Sequence, residues 1–522
     1  MDPALVELYE AGSHSDEVSV ILRLADAGRP PDHVRIISRF GEIVTARMHR
    51  GSIPGVWDDD RVISIKAPRL MESPNAYEQA EQPADASEAR SLLDLAEPLS
   101  ARAPNVPEDG RGVVIGVCDW GVDFTHPNFR HADGTTRIRA LWDQRGTGDP
   151  RAPQPFGYGR HHTRDQINAA LATSDPLAAL DYEFWSSDPG GTGTHGTHVL
   201  DILAGNRREP GSRSGIASGA EIVFVHLAAH HPRALENLGH SAGILEGFDF
   251  ILRQAAGAPC VLHLSAGKTA GEHRGTSPLE RAVDALLASN PGVVLVQSAG
   301  NYADAAMHTH GRIGPNQTTT LEWVIPQDDR TPNELEVWYS GEDAFDAVLI
   351  APDGAQSSVA LGARTQIVRD GKLWGNFYHR RHEPNSGMNQ IHVFMYTLAP
   401  GGRWSLVLRG REVVDGRFHA WIERDVGGRY QSRFSRKQAT SGYTTNTICN
   451  SYRAIAVGAY DGARPDRPAA SFSSRGPTAD GRRKPEVSAP GFRIQAARST
   501  PEGGYRAESR LCVKSGTSMA AP

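Results

Sequence analysis

The sequence predicts an α/β protein on a mostly parallel sheet, with an inserted β-sandwich and a small N-terminal α+β segment. Three observations carry this. From Arg111 onward, short apolar runs alternate with stretches of helical character, the pattern of a sheet covered on both faces. Between about 310 and 437, strand-like runs follow one another with turn signals and no helices between them, as in a sandwich. Ahead of both, residues 18–66 hold short alternating segments.

Taken in order, Val18, Val20, Leu22 and Leu24 alternate and indicate a strand. Residues 34–37, 43–48 and 62–65 are further strand candidates. Together they define an N-terminal propeptide-like unit over 1–71. Residues 72–110 are rich in Glu, Ala, Pro and Ser and read as a linker with one short helix near 87–95. The runs at 113–118, 222–225, 261–264 and 293–296 are the core strands of 111–309, with helices expected at 241–255 and 279–287. Six strands are expected in the insertion (310–437), at 319–325, 334–339, 345–350, 390–396, 404–409 and 417–423. The turn signals Pro352-Asp353-Gly354 and Pro400-Gly401-Gly402 punctuate them. The α/β pattern resumes at 454–459, so 438–522 is the second part of the same domain.

Composition narrows the function classes. The chain has 522 residues, 39% of them apolar, with 54 Gly and 34 Pro, which suits a loop-rich enzyme better than a helical bundle. A net charge of −6 gives no reason to expect nucleic acid or an anionic membrane as partner. Four cysteines, at 118, 260, 449 and 512, lie too far apart for a disulfide framework or zinc-ligand spacing. No run approaches the roughly 18 apolar residues of a membrane span. The N-terminus has neither the basic nor the long apolar stretch of a secretion signal. Cellular location and oligomeric state are not legible.

Three local motifs occur in the order Asp, His, Ser. Val117-Cys118-Asp119-Trp120-Gly121 places a carboxylate at the end of an apolar strand. Gly193-Thr194-His195-Gly196-Thr197-His198 opens a helix-like run. Gly516-Thr517-Ser518-Met519-Ala520-Ala521-Pro522 ends the sequence. A fourth segment, Gln297-Ser298-Ala299-Gly300-Asn301, follows the strand at 293–296.

These motifs, with Ser471-Phe472-Ser473-Ser474-Arg475-Gly476-Pro477 and the Lys484–Gly491 stretch, resemble the subtilisin-like serine protease (subtilase) family over about 111–302 and 444–522. Within it they resemble bacterial Csp-type members with an inserted jelly-roll-like domain. The resemblance implies the family's three-layer fold and a serine endopeptidase acting on protein or peptide substrates. Ser518 would be the nucleophile, weak until a base takes its proton. His195 would be that base, since imidazole titrates near neutral pH. Asp119 would fix its tautomer. Asn301 and the Ser518 N–H would receive the oxyanion. Ser265-Ala266-Gly267 would offer a backbone edge to an extended substrate and wall the pocket for the side chain before the cut. His198 and Asp123 read as structural. A metal at the His195/His198 pair lacks a third ligand motif.

Two departures from the family pattern stand out. Trp120 replaces the small hydroxyl residue usual after the aspartate, so Asp119 is expected to rely on other donors. Asn128 stands where a calcium ligand is often found, but the Asn206–Gly215 loop carries Arg207, Arg208 and Arg213. No calcium is expected there and no cofactor elsewhere, a structural calcium at another place being the alternative left open. The serine motif has only four residues after Ser518, and one helical turn is marginal alone. That leaves an alternative reading, a catalytically impaired fragment or a pseudoprotease scaffold. In a third, the sandwich is the main functional element and recruits proteins or glycans.

Overall fold

The computed structural model describes residues 1–26, 28–68, 79–80, 106–228, 240–423, 430–502 and 510–522. The helix expected near 87–95 lies outside those residues.

An eight-stranded sheet forms the centre. Its strand order is Val487–Pro490, Ile455–Tyr460, Val293–Ser298, Cys260–Leu264, Val114–Asp119, Glu221–His226, Ile138–Asp143 and Arg160–Thr163. All neighbours are parallel except the last pair. Alternation along Val114–Asp119 sends its side chains into two cores. Val114 and Cys118 join Leu262, Leu264, Phe248, Ile251 and Val283 on one face. Ile115 and Val117 join Phe224, Val199, Leu200 and Met519 on the other. Asp119 follows Ile115 and Val117 in the alternation, so it emerges on the face covered by the helix His195–Ala204.

The opposite face carries the helices His240–Ala255 and Pro278–Ser289. The second starts at a capping box, in which Ser277 and Glu280 each bond the other's backbone N–H. Such a box satisfies two otherwise orphaned donors.

The N-terminal unit is a four-stranded antiparallel sheet, ordered Arg35–Phe40, Ile43–His49, Glu17–Leu24, Val62–Lys66. Ile21, Ile37, Phe40 and Ile43 pack into the core that holds Phe248, Ile251, Val283 and Leu286. Arg47 pairs with the buried Glu246 at 2.8 Å, and Ser38 donates to Asp249 at 2.7 Å. The unit's other core, with Leu5, Leu8, Val20, Leu22 and Val44, also takes in Tyr378 and Phe394 of the sandwich.

The insertion is two antiparallel sheets of six and five strands, packed around Trp323, Leu335, Tyr339, Phe345, Phe377, Trp404 and Leu406. The six expected strands are present. Five further strands occur among the described residues: His308–Arg312, Gln356–Val359, Ala363–Arg369, Lys372–Arg380 and Arg433–Phe434. Their sequences conceal them for physical reasons. Ala363–Arg369 is an edge strand with one buried side chain, and Gly375 interrupts the apolar pattern of Lys372–Arg380.

Candidate active site

Asp119 ends its strand fully buried. Its Oδ1 accepts from the Trp120 backbone N–H at 2.6 Å and meets His195 Nδ1 at 2.6 Å. The extra donor expected for Asp119 therefore includes the backbone of the very residue that departs from the family pattern, and the Trp120 indole is buried in the core beneath. A carboxylate acceptor at Nδ1 requires the proton there, which leaves Nε2 as the basic nitrogen.

His195 is the first residue of its helix. The helix sits hard against the strand loop, with Gly196 N–H donating to Trp120 O at 3.1 Å. A Cβ on Gly196 would lie 2.5 Å from Gly121 O and 2.7 Å from the Phe224 ring, so only glycine permits this approach. Thr197 Oγ1 accepts from Asp123 N–H at 2.9 Å, and Asp123 accepts from Thr125 and Thr500. His198 meets Ile494 O at 3.1 Å, a link to the neighbouring strand. His263, on the next strand, binds Ser265 Oγ at 2.9 Å. Burial, with His195 nearby, pushes its pKa down to about 3, so it stays neutral beside His195.

Ser518 lies in the helix Thr517–Ala520. Four residues cannot sustain a helix by themselves, and tertiary contacts hold this one. Met519 inserts among Val199, Leu200 and Leu203 of the His195 helix. Ala520 and Ala521 pack with Val457, Ala459 and Phe472. Thr517 Oγ1 accepts from Gly300 N–H at 3.0 Å and donates to Asn301 Oδ1 at 3.0 Å. Thr517 N–H also donates to Asn301 Oδ1, at 2.9 Å. With its oxygen anchored twice, the Asn301 amide has its NH2 left for a ligand.

Ser518 and Asn301 line a small cleft together with Ser265, Ala266, Gly267, Ser298, Gly300, Tyr302, Asn446 and Thr517. The structure thus brings together Asp119 with His195, and Ser518 with Asn301 and the Ser265–Gly267 segment. It couples the two groups through the packing of the two helices. Thr517 and Asn446 carried no role in the sequence reading. The first lay within a quoted motif. Asn446 follows the whole insertion, and nothing local in Thr444–Asn450 marks it.

Asn128 does not fit a cation. Its Oδ1 accepts the N–H groups of Arg208 and Glu209 at 2.8 and 2.7 Å, and its amide donates to Asp201 Oδ1 at 2.8 Å. The guanidinium of Arg137 lies 3.4 Å from Asn128 O.

Comparison with known proteins places the chain in a family. The family model described as "Subtilase family" matches residues 110–328 and 430–522. The chain belongs to the subtilase family. The gap in the match falls within the inserted sandwich. Among its relatives, the subtilisin-like protease SBT2.2 of Arabidopsis thaliana is 28% identical over 211 residues, 37% of this chain and 22% of that protein. SBT1.5 of the same plant is 27% identical over 460 residues, 79% of this chain and 55% of that protein. The chain thus spans about a fifth of the former and about half of the latter. In fold it is similar to the CspB protease of Clostridium perfringens, with a TM-score of 0.66, 24% identity, and 80% and 81% of the two chains covered.

Proposed function

We propose that this subtilase is a serine endopeptidase with Ser518 as nucleophile, His195 as general base, Asp119 as its orienting carboxylate and Asn301 in the oxyanion hole. The observation that carries the reading is the 2.6 Å bond between two fully buried groups, His195 Nδ1 and Asp119 Oδ1. A buried imidazole held in this tautomer is suited to taking a proton at Nε2.

In this mechanism Ser518 Oγ attacks the peptide carbonyl carbon as its proton passes to His195 Nε2. The carbonyl oxygen becomes an oxyanion facing the Asn301 amide and the Ser518 N–H. The C–N bond breaks, His195 gives its proton to the departing amine, and an ester to Ser518 remains. Water then attacks that ester, again losing its proton to His195, and releases the acid. Donors aimed at the developing charge supply the largest single contribution in such reactions. The doubly anchored Asn301 fits that role because it need not reorganise. Residues 1–71 are read as propeptide-like, in keeping with the packing of Ile21, Ile37, Phe40 and Ile43 on the two helices behind the sheet.

The test is labelling of the full chain with a fluorophosphonate. Covalent labelling that disappears in Ser518→Ala and falls at least 100-fold in rate in His195→Ala is expected. Equal labelling of the wild type and Ser518→Ala would refute the assignment and favour the scaffold reading.

A further inference from the structure

The cleft beside Ser518 is nearly filled by the protein itself. Its volume is about 10 Å³, room for about one water molecule. One wall is Ser265-Ala266-Gly267 and the other runs from Ser298 to Asn301, with Asn446 among the lining residues.

Asn446 spans the two walls. Its backbone N–H donates to Ala299 O at 2.9 Å, and the next residue's N–H donates to Lys268 O at 2.9 Å. Its side-chain amide donates to Ser298 O at 2.6 Å. Its Oδ1 accepts from Gln297 Nε2 at 2.9 Å and from Cys449 N–H at 3.3 Å. Gln297 Nε2 also reaches Ala266 O at 2.9 Å. Against the opposite wall, a Cβ built on Gly267 would fall 2.3 Å from Asn446 Cγ. The carboxamide therefore lies directly on the glycine backbone, in the volume that a side chain there would need. Bonded on both its nitrogen and its oxygen and 1% exposed, it is not free to swing aside without abandoning buried partners, which carries a desolvation cost.

We propose that Asn446 closes the pocket beside Ser518 and restricts cleavage to bonds that follow a glycine or alanine, an inference that rests on the peptidase reading above. A methyl group matches the remaining space. A leucine or phenylalanine side chain in that place would have to displace Asn446 from Ser298, Gln297 and Cys449 together. Overpacking of a closed site is penalised, and pocket size is read out as a difference in kcat/KM between substrates.

The experiment compares peptide anilides that differ only in the residue before the scissile bond (Ala, Leu or Phe), hydrolysed by the full chain and by Asn446→Gly. For the wild type, kcat/KM for Ala at least tenfold above Leu and Phe is expected. In Asn446→Gly the Phe/Ala ratio rises at least tenfold. The ratio is taken on one preparation, so it is independent of the fraction of variant that folds. Wild-type cleavage after Leu or Phe as fast as after Ala would overturn the proposal, as would an unchanged ratio in the variant. Failure of the peptidase reading has a different signature, the absence of Ser518-dependent fluorophosphonate labelling, and the proposal falls with it.

Discussion

Thr517 grips Asn301 twice, its backbone N–H and its hydroxyl both donating to the same Oδ1 at 2.9 and 3.0 Å. The residue before Ser518 thereby sets the direction of the amide proposed to face the oxyanion. Asn301→Ala is expected to lower kcat by about 10²–10³-fold with KM little changed. Thr517→Ser, which keeps the oxygen, retains near-normal kcat. Thr517→Val removes the bonds to both Gly300 and Asn301 and lowers it about tenfold, the value of the lost bond to Asn301 at about 1–1.5 kcal/mol. Steady-state kinetics on the three variants checks the order.

The N-terminal unit is tied down by a charge it cannot lose cheaply. Glu246 has a fully buried side chain and is held by both Arg47 nitrogens at 2.8 Å and by Tyr158 Oη at 2.9 Å. Arg47→Ala would strand that carboxylate, a loss of about 3–5 kcal/mol. Urea unfolding is expected to show a lowered midpoint, and Arg47→Met combined with Glu246→Leu is expected to recover most of it. No loss in Arg47→Ala would mean that water reaches Glu246.

Where the sandwich meets the catalytic chain, His273 stacks on Trp421 at 4.2 Å and His308 binds His419 at 3.1 Å. Burial is the first cause that lowers these imidazoles, His273 to about 4 and His419 to about 3, with neighbouring histidines adding to it for His419. The folded state keeps them neutral, while the unfolded chain takes up protons near pH 6.5. The unfolded state thus binds more protons between about 4 and 6.5, and this contribution to stability falls as pH falls through that window. Asp201, pushed up to about 7 by burial, acts in the opposite sense, losing stability as pH rises from about 4 to 7. The cluster's share is therefore read as a difference between proteins. His419→Gln is expected to have a shallower acid-side loss of urea midpoint than the wild type between pH 7 and 5. Parallel curves would show that the cluster hydrates on protonation without opening.

The proposed catalytic framework could be read from the sequence because each motif stands at a place where a strand hands over to a loop or helix. Asp119 ends an apolar strand, His195 opens a helix and Asn301 follows a strand by three residues. Apolar runs broken by glycine give such positions away. The role proposed for Asn446 was hidden because it depends on a contact with Gly267 across the insertion, and no local pattern encodes a long-range steric fit. Four of the five unread strands lie at sheet edges, and the fifth, Lys372–Arg380, is interrupted by Gly375. An edge strand such as Ala363–Arg369 has little to bury, so it shows no alternation.

Gly267 and Asn446 flank the sandwich in the chain yet compete for a single volume. Position 267 cannot gain a side chain while Asn446 stays in place. A side chain could appear at 267 only in a lineage that had already shortened 446, and a shortened 446 would at once admit new peptides. On the specificity proposed above, a relaxed choice of peptide would come before any side chain at 267.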